Sequence, residues 1–141
     1  YNFRLTNLQA ALGLAQLEQF DSFIRIKKRN YELYKERLKG IEGIEFLGVP
    51  DGTSPNYWFY SLIVDKKKYG RDRDALIKEL SRKEIESRPL WYPNHMQKPF
   101  LNNQSYKIDK AVWFWERVIN IPCSSSLKKS EIERVIETVR R

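Results

Sequence analysis

Apolar residues recur at near-helical spacing from the start of the chain: Leu8, Leu12, Ala15, Phe20, Phe23 and Ile24. No proline lies between Tyr1 and Gly40. The pattern predicts one long helix, or two in tandem, over about 6–38. Thr6 and Gln9 have capping-box spacing, in which the hydroxyl accepts from the third helical amide and the glutamine reaches back. Gly40 suits the C-terminal end of such a helix. Ala10, Ala11, Gly13 and Ala15 are small. A helical glycine costs roughly 1 kcal/mol relative to alanine, so Gly13 points to close approach by another helix or subunit.

Beyond Gly40 the period shortens. Residues 44–47 form a short strand candidate, and 51–56 are rich in turn formers. Residues 57–64, aromatic and β-branched, give the strongest strand pattern. A helix is expected from Gly70 to about Arg82, with Leu76, Ile77 and Leu80 inward. A second strand candidate over 85–90 runs into an irregular segment from Pro89 to Phe100. A helix over 108–117 and a strand over 118–121, ended by Pro122, come next. Ile132, Val135, Ile136 and Val139 line one face of a last helix over about 130–139. Its start is marked by Ser130 with Glu133 as a capping box, or by Ser126 or Lys128. This order predicts an α+β fold: a long N-terminal helix, then a small, mainly antiparallel sheet covered by helices.

With 141 residues, 41% hydrophobic and 31% charged, the chain has the composition of one globular domain. No apolar run approaches the roughly 20 residues of a membrane helix. A single cysteine, Cys123, excludes an internal disulfide and fits a reducing compartment. With no basic neighbour or nearby histidine, it reads as a structural thiol. One histidine and one distant cysteine do not make a zinc site, so no metal is expected. The net charge of +8 admits an anionic partner. The basic residues are spread along the chain, however, and Lys66-Lys67-Lys68 falls at a strand end, where a charged turn is ordinary. Arg71-Asp72-Arg73-Asp74 reads as a helix start with solvated pairs.

Two segments could carry chemistry. Asn2 and Arg4, two apart in an extended stretch, point to one side. Both donate to anionic oxygens, Arg as a fork, and the helix start that follows adds amides and partial positive charge. The second segment runs from Ser87 to Phe100: Arg88, Trp91, Tyr92, His95 and Gln97 lie between prolines that stiffen it. A stiff loop loses less entropy on docking a ligand, and its rings can stack on a base or sugar face.

The block Tyr1-Asn2-Phe3-Arg4-Leu5-Thr6-Asn7-Leu8-Gln9-Ala10-Ala11 resembles the segment that opens the C-terminal half of the DegT/StrS-type sugar aminotransferases. Arg88-Pro89-Leu90-Trp91-Tyr92-Pro93, with His95 and Gln97, is similar to the loop that lines the substrate site in that family. Asn120-Ile121-Pro122-Cys123-Ser124 resembles its last strand end. The resemblance covers nearly the whole chain and implies the C-terminal small domain, residues 1–141, of a longer cytoplasmic, homodimeric enzyme. Such an enzyme would use pyridoxal 5'-phosphate to move an amino group, with glutamate as the expected donor, to a nucleotide-linked 4-keto-6-deoxy sugar of surface-polysaccharide or nonulosonate biosynthesis. The branch implied is the bacillosamine-, perosamine- or legionaminic-type one.

By the same resemblance, Asn2 would contact the cofactor phosphate across a dimer and Arg4 would lie near that site. Arg88, Trp91, Tyr92, His95 and Gln97 would face the nucleotide sugar, with Arg88 and His95 the leading contacts. No catalytic residue is expected within the chain. The family's Schiff-base lysine lies in an N-terminal domain, in a Ser-rich context that no lysine here shares, so the fragment alone should be inactive. The sequence departs from the family at Arg82-Lys83-Glu84-Ile85, where a glycine is usual. The alternatives are a basic nucleic-acid-binding module, which needs a continuous basic face with exposed aromatics, and a catalytically inactive structural or regulatory domain of the same fold.

Overall fold

The computed structural model describes residues 4–141. The N-terminal helical pattern resolves into two helices, α1 (Asn7–Glu18) and α2 (Phe20–Leu38), broken at Gln19. The capping box forms: Gln9 N donates to Thr6 Oγ1 at 3.3 Å, and Thr6 N donates to Gln9 Oε1 at 2.9 Å. Helix α1 buries no residue, and Leu8, Leu12, Leu14 and Leu17 are all more than half exposed. Its apolar positions run around the helix rather than along one stripe, so it is built to be covered on several sides.

Strands β1 (Ile44–Phe46), β2 (Tyr60–Val64), β3 (Arg88–Pro89) and β4 (Val118–Ile121) form one antiparallel sheet in the order β1-β2-β4-β3. Between them lie α3 (Lys66–Tyr69), α4 (Arg73–Arg82) and α5 (Ala111–Arg117), and α6 (Lys129–Arg140) closes the chain. One face of the sheet presents Tyr60, Leu62, Val64, Ile119 and Ile121 to a core shared with Tyr34 and Leu38 of α2, Leu76 and Leu80 of α4, and Ile132, Ile136 and Val139 of α6. The opposite face carries Ser61, Asn120 and Arg88, which the registers Ser61↔Asn120 and Arg88↔Asn120 set in a row. The α+β expectation holds.

Several boundaries differ from the sequence reading. Strand β2 starts at Tyr60 rather than Tyr57, because Tyr57 takes a left-handed φ of 53° and Asn56 Oδ1 accepts from Trp58 N in a local turn. The lysine run is the short helix α3, capped by Asp65 Oδ1 on the amides of Lys67 and Lys68. Helix α4 starts at Arg73, because Asp72 Oδ1 accepts from Ala75 N at 2.9 Å and takes the N-cap. The second strand candidate shrinks to Arg88–Pro89. As an edge strand, β3 can hold a proline without losing a shared ladder bond. Glu84, where the resemblance led one to expect glycine, has a φ of 56°. Of the starts expected for helix α6, the structure takes Lys128, whose amide donates to Glu131 Oε2 at 2.7 Å, and not Ser126 or the Ser130–Glu133 pair.

Candidate functional site

The strand β3 and the loop after it form the centre of the site. Arg88 is exposed at the sheet edge, and its guanidinium reaches Glu86 Oε1 at 2.9 and 2.5 Å. Such a pair in water is weakly held, so an anionic group could take the fork. Beside it is a cleft of about 230 Å³ lined by Phe59, Glu86, Ser87, Arg88, Asn120 and Cys123, among others. Asn120 Oδ1 accepts from Ser61 Oγ at 2.6 Å, which fixes the amide in the cleft floor. Ser87 Oγ is enclosed and has no protein partner.

Trp91, exposed, lies against Trp58 at 5.8 Å and meets Phe59 edge-on at 5.3 Å between ring centroids. Trp58 in turn stacks on Phe59 at 4.7 Å. Three rings thus make an open aromatic ledge next to the Arg88 cleft. Offset and edge-on contacts hold such a ledge together while leaving ring faces for a ligand. The segment before β2 is pinned from below: Lys27 Nζ donates to the carbonyls of Cys123 at 2.6 Å and Tyr57 at 3.3 Å, and Cys123 Sγ donates to Trp58 O at 3.0 Å. Cys123 is therefore bound into the frame of the ledge, as a structural thiol would be.

The remaining loop residues divide. Tyr92 turns the other way and packs edge-on against Trp115 at 5.1 Å. Gln97 is a brace: its Nε2 donates to Tyr92 O at 3.1 Å and to Asn94 Oδ1 at 3.0 Å. His95 sits in a short 3-10 turn, Asn94–Met96, and lines a different groove of about 420 Å³ with Phe100, Asn103 and Ile108. The structure therefore groups Arg88 and Trp91, sets Tyr92 and Gln97 behind them, and places His95 on a separate groove. Asn2 lies outside the described residues. Arg4 is exposed two residues before the N-cap of α1 and lines neither cavity.

Trp58, Phe59 and Lys27 were not foreseen as site residues. The Tyr57-Trp58-Phe59 run is aromatic and continues the strand pattern of 57–64 without a break. Only the left-handed Tyr57 reveals that Trp58 is turned outward. Among the described residues, no group of three or more His, Cys, Asp or Glu side chains could hold a metal ion, and no helix is long and apolar enough to cross a membrane.

Residues 1–140 match the family model described as the DegT/DnrJ/EryC1/StrS aminotransferase family. The chain is 32% identical over 143 residues to a GDP-perosamine synthase of Vibrio cholerae, covering 99% of this chain and 38% of that protein. It is 27% identical over 141 residues to a dTDP-4-amino-4,6-dideoxy-D-glucose transaminase of Shigella dysenteriae, covering 99% and 38%. Among solved structures, the sugar aminotransferase CalS13 of Micromonospora echinospora superposes with a TM-score of 0.86 at 27% identity, covering 99% of this chain and 36% of that one. The chain thus spans little more than a third of the length of these relatives.

Proposed function

The chain belongs to the DegT/DnrJ/EryC1/StrS aminotransferase family, and from that premise we propose that it is the C-terminal small domain, residues 1–141, of a nucleotide-sugar aminotransferase. The intact protein would transfer an amino group from glutamate to the keto carbon of a nucleotide-linked 4-keto-6-deoxy sugar, in the cytoplasm, for surface-polysaccharide or nonulosonate biosynthesis. The observation that carries this reading is the family match along almost the entire chain. The ledge and cleft around Arg88 give the nucleotide sugar a place to bind.

Aminotransferases of this family use pyridoxal phosphate, which when bound supplies the electron sink for amino transfer. What this chain offers that cofactor is a phosphate-type donor set: the Asn2 carboxamide, the Arg4 guanidinium and the exposed start of α1. The capping box uses the Gln9 amide, and the amides just before it belong to the unsatisfied first turn. The donor chemistry fits the phosphate end of the cofactor. The lysine that would hold its other end belongs to the rest of the protein. Helix α1, with exposed leucines distributed around it and no buried residue, supports packing against that remainder or against a second subunit, and a homodimer with shared sites is part of the proposal.

On the substrate side, Arg88 would exchange its Glu86 contact for the diphosphate, and Trp91 with Trp58 would cover a ring of the nucleotide sugar. Tyr92 would close the loop end, Gln97 would hold the loop's shape, and His95 would reach the ligand from the groove of residues 93–111. The test is an absorbance spectrum of the full-length protein. A long-wavelength band from bound cofactor, shifting on addition of glutamate, is expected. No band, even after pyridoxal phosphate is added, would overturn the reading.

A further inference from the structure

Among the described residues, Arg73 is the one charged side chain that lies in the interior, 8% exposed at the first turn of α4. A buried guanidinium is costly unless it is paired and hydrogen-bonded. Its carboxylate partner, Asp74 at 2.8 Å, is itself largely exposed and does not account for the burial. The inward partner is Trp115. The Arg73 Nη1 group donates to the Trp115 backbone carbonyl, and the guanidinium lies over the Trp115 ring at 5.4 Å.

That carbonyl belongs to the last turn of α5, where helix carbonyls lack intrahelical partners and the helix dipole favours a cation. Arg117 completes the closure by donating to Trp113 O at 3.1 Å. The same Trp115 ring receives Tyr92 edge-on, with an interplanar angle of 89°. Tyr92 O is also the acceptor through which Gln97 holds the 92–97 turn. Strand pairing ends at Pro89, and the loop beyond it has two ring anchors, Trp91 on Phe59 and Trp58 on one side and Tyr92 on Trp115 on the other. A continuous set of contacts therefore runs from Arg73 through Trp115 and Tyr92 into the loop.

We propose that Arg73 is a positioning residue for the 90–97 loop, acting through Trp115 to set Tyr92 and so the ligand-facing pose of the adjacent Trp91, while Arg88 is held by its strand pairing to Asn120. This rests on the reading that the loop lines the nucleotide-sugar site. A merely structural arginine would affect stability and leave the loop and substrate affinity as they are.

The test uses the full-length protein with Arg73→Met, Arg73→Lys, Tyr92→Ala, Trp115→Phe and the double variant Arg73→Met/Tyr92→Ala. Amide hydrogen exchange of 90–97 should rise in Arg73→Met and not in α6, a readout independent of activity. With a keto-sugar nucleotide, KM should rise about tenfold in Arg73→Met, while the glutamate half-reaction stays within about twofold. Arg73→Lys should recover part of the loss, because it restores the charge without the fork. The double variant should be no worse than Tyr92→Ala. Unchanged loop exchange, or additive effects of Arg73→Met and Tyr92→Ala on KM, would overturn the proposal. If Arg73→Met does not fold, Trp115→Phe, which keeps the carbonyl, should still speed loop exchange, and no change there overturns it too. A wild-type protein with no transfer to any keto-sugar nucleotide would instead sink the functional reading, and the exchange data would still decide the role of Arg73.

Discussion

Lys27 Nζ, on α2, donates to the Cys123 carbonyl at the end of β4 at 2.6 Å. With its second bond to Tyr57 O, the ammonium joins the two segments that flank the Arg88 cleft. Tyr60 returns the tie by donating from its hydroxyl to Lys27 O at 2.7 Å. Hydrogen bonds to a charged group are worth about 1.5–3 kcal/mol. Lys27→Met should therefore destabilise the domain by about that amount, as measured by urea unfolding. A loss below about 0.5 kcal/mol would mean that solvent already screens the contact.

Gly43 holds the turn between α2 and β1. Its φ is 79°, and a Cβ there would lie 2.5 Å from Tyr69 N and 2.9 Å from Asp65 O. Both clashes are with backbone, in a stretch where Asp65 N donates to Gly43 O at 2.8 Å. Gly43→Ala thus combines a left-handed backbone with overpacking and should cost about 2–4 kcal/mol, in thermal unfolding. Gly40→Ala, also left-handed but with open space around it, should cost about 1–2 kcal/mol. Equal effects at the two sites would show that the backbone contact is unimportant.

Asn30 of α2 is buried beside Lys129 and Ile132 of α6, and among the described residues its Nδ2 has no hydrogen-bond partner. Among the described residues its Oδ1 accepts from the neighbouring Arg29, at 3.4 and 3.2 Å. An unsatisfied buried donor costs about 1–3 kcal/mol. Asn30→Leu, which keeps the branched outline in a larger side chain and removes the unpaired donor, should leave stability unchanged or raise it by up to about 2 kcal/mol. A clear loss of stability in chemical unfolding would mean that the amide has a partner, such as an enclosed water.

Asp72 caps α4, and the bond from Ala75 N, helped by Lys66 at 3.0 Å, holds its carboxyl below the usual aspartate range. A lowered folded-state pKa means that its stabilisation is present above the ordinary value of 3.8 and disappears as the pH falls through the lower, folded value. Wild type should therefore lose an acid-dependent increment of stability that Asp72→Asn lacks, seen by unfolding at a series of pH values. Parallel pH profiles would contradict this.

Helices were legible where one period ran unbroken: α4 and α6 bury the stripe their spacing marks, whereas α2 buries Tyr31, Tyr34 and Leu38 rather than the Phe20, Phe23 and Ile24 that its spacing marks. The Thr6–Gln9 capping box was legible from two residues. What failed were the places where a side chain bonds its own local backbone. Asn56 turns Trp58 outward, and Asp72 delays α4 by claiming the cap. The run Arg71–Asp74 looked solvated because burial of Arg73 depends on Trp115, 42 residues away. The sequence marks 88–97 as one candidate loop, whereas its division into Arg88 and Trp91 on one side and His95 on a separate groove depends on the 3-10 turn at 94–96. Trp58 and Phe59, which complete the ledge, come from a distant segment, and pairwise proximity of that kind leaves no mark on one sequence.

Amino transfer to a nucleotide-linked keto sugar is the activity proposed for the intact protein. The full-length protein, loaded with pyridoxal phosphate and given glutamate, should be incubated with nucleotide-linked 4-keto-6-deoxy sugars and the products analysed by mass spectrometry. The expected product is a nucleotide sugar whose carbonyl has become an amine, together with one equivalent of 2-oxoglutarate. Unaltered keto sugar with cofactor-loaded, folded protein across such substrates would contradict it.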